Sequence, residues 1–182
     1  MSNNPKLLLH VCCIGCGAAV AQTLSDEYSL TLFFYNPNIF PVTEYEMRRD
    51  EAARVAGVFN WPWREGDHDH ARWLTAVDGL EKEKERGARC SVCYEYRLAK
   101  TAELAEKSGF PFFGTTLSIS PHKDAAKINA IGRDLAKTYN VTFLERDFKK
   151  KGGFSRSVAL SRELNLYRQT YCGCEFSLKP AD

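Results

Sequence analysis

The sequence predicts an α/β protein: a Rossmann-like, three-layer arrangement in which helices cover both faces of a parallel sheet. Three observations predict it. Short runs rich in apolar, β-branched and aromatic residues alternate with helical patterns along the chain. Polar, cysteine- and hydroxyl-bearing segments, His10–Cys16 and Thr115–Ser120, follow two of those runs, at the carboxyl ends of strands where such sheets bind ligands. No repeat or linker divides the 182 residues, so a single domain over 1–182 is expected, with a metal-binding segment at its carboxyl end.

In chain order, Lys6–Val11 reads as a buried strand and Gly17–Ser25 as a helix with small residues turned to a neighbour. Tyr28–Tyr35 is the second strand and Asn36–Pro41 a loop with two prolines. Thr43, with Glu46 three residues on, has the pattern of a capping box for a helix over Glu44–Ala56. Phe59–Pro62 reads as a short strand, and Asp69–Arg86 as a charged helical stretch. Tyr94–Ser108 is a helix closed by Gly109; then come a strand Phe112–Thr116, a helix Asp124–Tyr139 and a strand Val141–Leu144. A basic loop over Glu145–Arg156 leads to a last helix, Ser157–Tyr167.

Hydrophobic residues make up 44% and charged residues 26%, which allows an ordinary core and excludes a low-complexity chain. A formal net charge of +2 is too small to argue for nucleic acid, so any polyanion must meet a local concentration of cations. The polar start Met1–Lys6 and the short apolar run after it lack the form of a secretion signal. No stretch approaches the ~18 apolar residues of a membrane span. A cytoplasmic location without a membrane partner is expected.

Seven cysteines fall in three groups: Cys12-Cys13-x-x-Cys16, Cys90-x-x-Cys93 and Cys172-x-Cys174. Disulfides are disfavoured in a reducing compartment, so a disulfide-free metal site is the expectation. One CxxC is ambiguous among zinc, a redox dithiol and an iron–sulfur ligand pair, but three groups in so short a chain converge on metal ligation. Seven thiols exceed one four-ligand zinc site. Four for a [4Fe–4S] cluster would leave three for a second metal. Cys12 and Cys13 are adjacent and cannot easily point the same way, so they are expected to serve different centres.

Further polar groups sit at strand ends. Tyr35, Asn36 and Asn38, followed by Glu44, Tyr45 and Arg48, are either a turn and helix start or a substrate surface. Thr115, Thr116, Ser118, Ser120, His122 and Lys123 offer hydroxyls and a cation to a phosphate or polar ligand, or cap the next helix. Lys149, Lys150, Lys151 and Arg156 flank a Gly-Gly pair, either as a solvated loop or as a contact for a phosphate backbone.

Taken with their spacing, these blocks resemble the QueH family of epoxyqueuosine reductases: His10-x-Cys12-Cys13-x-x-Cys16, Tyr35-Asn36-Pro37-Asn38, Cys90-x-x-Cys93-Tyr94-x-x-Arg97-Leu98, Thr115-Thr116-Leu117-Ser118-x-Ser120-Pro121-x-Lys123, Lys150-x-Gly152, and Leu166-Tyr167-Arg168-Gln169-x-Tyr171-Cys172-Gly173-Cys174. The resemblance implies a PP-loop/HUP-like variant of the Rossmann fold and a two-electron removal of the epoxide oxygen from epoxyqueuosine at the tRNA wobble position. It also implies a [4Fe–4S] cluster beside a mononuclear iron, and an external electron donor. On this reading Cys90, Cys93, Cys172 and one of Cys12 or Cys13 hold the cluster. Cys16, Cys174 and the remaining cysteine hold the single iron, and His10, Tyr35 or His122 supplies the proton. Ile14-Gly15 stands where the family commonly has Ala-Pro, which predicts a looser loop. Two other readings use the same cysteines: a zinc-bearing PP-loop-like tRNA thiolation or adenylating enzyme, and a non-catalytic zinc RNA-binding module. The first lacks its Gly-rich, Ser-containing pyrophosphate loop after strand one, and the second leaves thiols over.

Overall fold

The structure is a computed structural model and describes residues 4–178. Five parallel strands form one sheet, in the order β3-β2-β1-β4-β5. They are β1 (Lys6–Val11), β2 (Ser29–Phe34), β3 (Trp63–Glu65), β4 (Phe112–Thr115) and β5 (Thr142–Phe143). The helices are α1 (Ile14–Ser25), α2 (Val42–Val58), α3 (His70–Ala76), α4 (Ala88–Lys107), α5 (Ala125–Thr138) and α6 (Gly153–Glu163).

Strand side chains alternate between faces. Leu7, Leu9 and Val11 pack with Leu30, Leu32 and Phe34 against α1 and α2, with Leu160, Leu164 and Leu166 of the α6 region beside them. Leu8, Phe33 and Tyr35 point the other way, onto Leu98, Ala102 and Ala105 of α4 and Ile128 and Leu135 of α5. Both faces of the central strands are buried, which explains why β1 reads as a continuous apolar run.

Three local expectations are overturned. Asp69–Arg86 is helical only over His70–Ala76. Beyond it, Gly79 and Arg86 take positive φ, and the buried Arg89 guanidinium collects the carbonyls of Leu80, Glu81 and Glu83 at 2.6–3.1 Å, wrapping the chain round a cation. The third strand lies at Trp63–Glu65, just beyond Phe59–Pro62, because Trp63 and Glu65 pair with Leu32 and Phe34. Thr43 caps nothing: α2 begins at Val42, with Pro41 at its cap position and no side-chain bond there. Asp124, by contrast, caps α5 by accepting from the amides of Ala126 and Lys127.

Candidate active site

The strand order reverses between β1 and β4, and a parallel sheet leaves a crevice at that point. The turn after β1 carries Cys12, Cys13 and Cys16, the last already inside α1. The segment after β4 carries Thr116 to Lys123. The start of α4 brings in Cys90 and Cys93. Over this end lies the carboxyl-terminal segment with Cys172 and Cys174. A cavity of about 290 Å³ opens among them, lined by Cys90, Tyr94, His122, Lys123, Cys172 and Cys174, with Glu85, Arg86, Gln169 and Tyr171 further along its wall.

All seven cysteines are free thiols. Cys174 packs with Cys93 against Trp73 and shares the cavity wall with Cys90 and Cys172. Cys13 and Cys16 adjoin on the β1 side, where the Cys16 amide donates to the Cys13 carbonyl at 3.3 Å and the Cys13 thiol donates to Gln169 Oε1. Cys12 packs, like Cys90, against the core on the α4 side of the sheet, and its charge acts on both Arg97 and Lys123. Among the described residues no three His, Cys, Asp or Glu side chains converge on a single point that could hold one ion. Cys90, Cys172 and Cys174 lie on the cavity wall with Cys93 packed beside Cys174, four thiols of the number that a [4Fe–4S] cage takes.

The charges around the thiols sort them. The Cys13 thiol beside it lowers the Cys16 pKa to about 7 against the effect of burial, with help from Arg168 and Lys123. Cys13 is pushed up by the same pairing and by burial, and keeps its proton. Burial works against the Cys172 thiolate, but Lys123, Arg97 and Arg48 together outweigh it and hold the thiol below its ordinary value. Burial raises Cys93 to about 11, although Arg97 opposes it, and burial also raises Cys174.

The carboxyl-terminal segment is held by a buried latch. Arg48 Nε donates to Glu44 Oε1 at 2.7 Å, its Nη1 to the Cys172 carbonyl at 3.2 Å and its Nη2 to the Tyr171 carbonyl at 3.4 Å. The Tyr167 hydroxyl donates to Glu44, the Phe40 amide donates to the Gly173 carbonyl, and His70 meets Glu175 at 3.1 Å. Gly15 is part of this closure. It sits in the first turn of α1, and a Cβ there would lie 2.3 Å from the Tyr167 carbonyl oxygen. Glycine at this position permits a close approach; the looser loop expected from the sequence is a tightly covered helix start.

A family model described as epoxyqueuosine reductase QueH matches residues 7–180. The chain belongs to that family. It is 40% identical over 179 residues to the epoxyqueuosine reductase QueH of Haemophilus influenzae, covering 97% of this chain and 73% of the relative. It is 39% identical over 175 residues to that of Thermotoga maritima, covering 94% and 90%. Among solved structures, a U34-tRNA thiolase NcsA from Methanococcus maripaludis, with its [4Fe–4S] cluster, superposes with a TM-score of 0.62 at 14% identity, covering 98% of this chain and 63% of that one. A predicted tRNA methyltransferase subunit from Methanocaldococcus jannaschii superposes with a TM-score of 0.57 at 12% identity, covering 86% and 76%. These two likenesses bear out the Rossmann-like α/β fold.

Set against the QueH-type blocks, the expected site residues divide into those that reach the cavity and those that build it. His122, Lys123 and Ser120 line it. His10 does not: it is fully buried, with Nδ1 2.9 Å from the Thr115 hydroxyl and Nε2 3.1 Å from the Tyr35 carbonyl. A carbonyl only accepts, so Nε2 carries the hydrogen and Nδ1 accepts from Thr115. Burial, reinforced by Arg97, lowers the His10 pKa to about 3. His10 therefore ties β1 to its two neighbours. The Tyr35 ring is packed between Phe33 and Tyr96, and burial pushes its hydroxyl pKa up.

Asn36 bridges the Val11 carbonyl and Arg97, Asn38 is buried, and the Tyr45 hydroxyl donates to Glu65. Thr116 packs on Gly17, and the Ser118 hydroxyl donates to the Arg146 carbonyl. Lys149 is drawn inward, bonded to the Ser118 and Lys123 carbonyls and paired with Asp147 at 3.1 Å. Lys150, Lys151 and Arg156 stay exposed. Arg97, Tyr94 and Gln169 stood within the quoted blocks without an assigned role; Arg97's position one turn after Cys93 on a helix was the available signal. Nothing in the sequence pattern singles out Arg89.

Proposed function

We propose that the chain is a single catalytic unit that reduces epoxyqueuosine in tRNA to queuosine, in the cytoplasm, with electrons from an external donor. The observation that carries this reading is a set of seven free thiols, three of them (Cys90, Cys172 and Cys174) on the wall of one cavity, in a chain matched to the family over almost its whole length. The donor set fits iron and sulfide: every candidate ligand is a thiol, and the cations Arg97 and Lys123 beside them are buried. The proximities support a division that differs from the one expected from sequence. Cys90, Cys93, Cys172 and Cys174 would hold a [4Fe–4S] cluster, with Cys12, Cys13 and Cys16 left on the β1 side.

When bound, the cluster supplies electrons singly and the iron supplies Lewis acidity. The chain's own part is positioning and proton supply. The cavity admits the modified base beneath the carboxyl-terminal segment, which keeps bulk water off the thiols. Lys123 presents a positive charge where negative charge develops on the epoxide oxygen. His122, exposed at the cavity, delivers a proton from its ring. Tyr94 Oη keeps its own proton, because burial pushes its pKa up. Lys150, Lys151 and Arg156 meet the anticodon phosphates.

Anaerobic iron and sulfide analysis, followed by turnover of epoxyqueuosine-containing tRNA with a chemical reductant, tests the proposal. About five irons and four sulfides per chain are expected at full loading. Stoichiometric zinc without sulfide, as in a zinc thiolation enzyme or RNA-binding module, would overturn it.

A further inference from the structure

We propose that Arg97 and Lys123 are the charge counterweight of the cysteine site and set how readily the group bound there takes up an electron. The inference rests on the reading that the thiols hold an iron–sulfur cluster. It begins from two cations that the fold buries without a carboxylate. Arg97 is 1% exposed and lies one helical turn after Cys93. Its Nε donates to the Cys93 carbonyl at 3.2 Å and its Nη1 to Asn36 Oδ1 at 3.3 Å, while Nη2 is buried with no partner among the described residues. The Tyr94 ring covers it at 5.9 Å. Lys123 is 7% exposed on the cavity wall, and its ammonium makes no hydrogen bond or ion pair among the described residues.

Three other cations are compensated in other ways: Arg48 has Glu44 at 2.7 Å, Lys149 has Asp147 at 3.1 Å, and the buried Arg89 is enclosed by the carbonyls of Leu80, Glu81 and Glu83. A guanidinium stays protonated in a protein, and an unpaired buried charge is strongly disfavoured. Arg97 therefore needs a negative partner, and the groups that face it are the thiols of Cys12, Cys93 and Cys172; Cys172 and Cys12 face Lys123 as well. Thiolates carrying a cluster are anionic, and each electron added makes the site more so. In surroundings of low polarity a fixed neighbouring cation favours the more negative state. The two side chains thus bias the site toward reduction without donating or accepting an electron.

The test uses the full chain, purified anaerobically and loaded with iron and sulfide. The wild type is compared with Lys123→Met, Arg97→Met and the charge-retaining Lys123→Arg and Arg97→Lys. Iron and sulfide are assayed first; reduction by dithionite through redox mediators is then followed by visible absorbance and electron paramagnetic resonance. The neutral variants should be at least tenfold harder to reduce, about 59 mV for a one-electron couple. The charge-retaining variants should stay near wild type. Neutral variants that titrate at the wild-type potential overturn the proposal, as do charge-retaining variants displaced as far as the neutral ones. If a neutral variant fails to load, loading of its charge-retaining counterpart supports the need for charge, and failure of both overturns it. Wild-type protein without sulfide defeats the iron–sulfur reading itself, a separate result.

Discussion

Replacing Arg48 with Met should release the segment that carries Cys172 and Cys174. The Arg48 side chain is almost wholly buried, and it joins the Glu44 carboxylate to the Cys172 and Tyr171 carbonyls. Methionine keeps part of the stem volume but removes all these bonds. Glu44 then remains buried with only the Tyr167 hydroxyl as a partner, apart from its own helix. Removing one member of a buried ion pair typically costs about 3–5 kcal/mol, a large share of the ~5–15 kcal/mol that holds a domain folded. Urea unfolding of the metal-free protein measures the loss. A double-mutant cycle with Glu44→Gln isolates the pair: Glu44→Gln should cost less in the Arg48→Met background than in wild type. Iron and sulfide content after reconstitution should fall, because the strap no longer presents its two thiols. A stability loss below about 1 kcal/mol, together with full cluster loading, would refute the latch.

Gly15→Ala should also lower iron retention, since its methyl group would meet the Tyr167 carbonyl at 2.3 Å and lift the same segment; elemental analysis and limited proteolysis after residue 164 report it. Lys150→Ala with Lys151→Ala should weaken tRNA binding and flatten its dependence on log salt by up to about 1.4, two contacts at roughly 0.7 each, while an unchanged slope removes these residues from the RNA face. Lys149 is left intact in that variant because it anchors the Ser118 and Lys123 carbonyls. His68 lies on the Tyr45 ring at 3.8 Å, and burial lowers its pKa, although its bond to the Ile39 carbonyl opposes this. Its folded pKa is below the unfolded value of about 6.5, so its contribution is present above that pH and is lost as pH falls below it. The urea midpoint of His68→Gln should therefore depend less on pH between 7.5 and 5.5 than that of wild type, and parallel profiles would contradict the assignment.

The alternation of strands and helices, the Lys6–Val11 strand and the three cysteine groups could all be read from the sequence. Each is a local pattern: an apolar run buried on both faces, or thiols at a spacing that one turn brings together. The family was legible too, because its blocks are dense in chemistry and keep their order. What only the tertiary structure decided depends on partners far along the chain. Arg48 and Glu44 looked like polar residues near a strand end, yet they form a latch because residues 167–172 return across α2. His10 looked like an acid and is a neutral pin, because the Tyr35 carbonyl and the Thr115 hydroxyl close both ring nitrogens. The charged run after His70 has a helical composition, but Arg89 takes its carbonyls away from the helix ladder. Lys149 and Lys150 are neighbours of the same type, and one turns inward to Asp147 while the other stays in solvent. A side chain's type shows which bonds it can form; which of them it forms depends on what the fold brings beside it, since a buried charge must find its partner within a few ångströms.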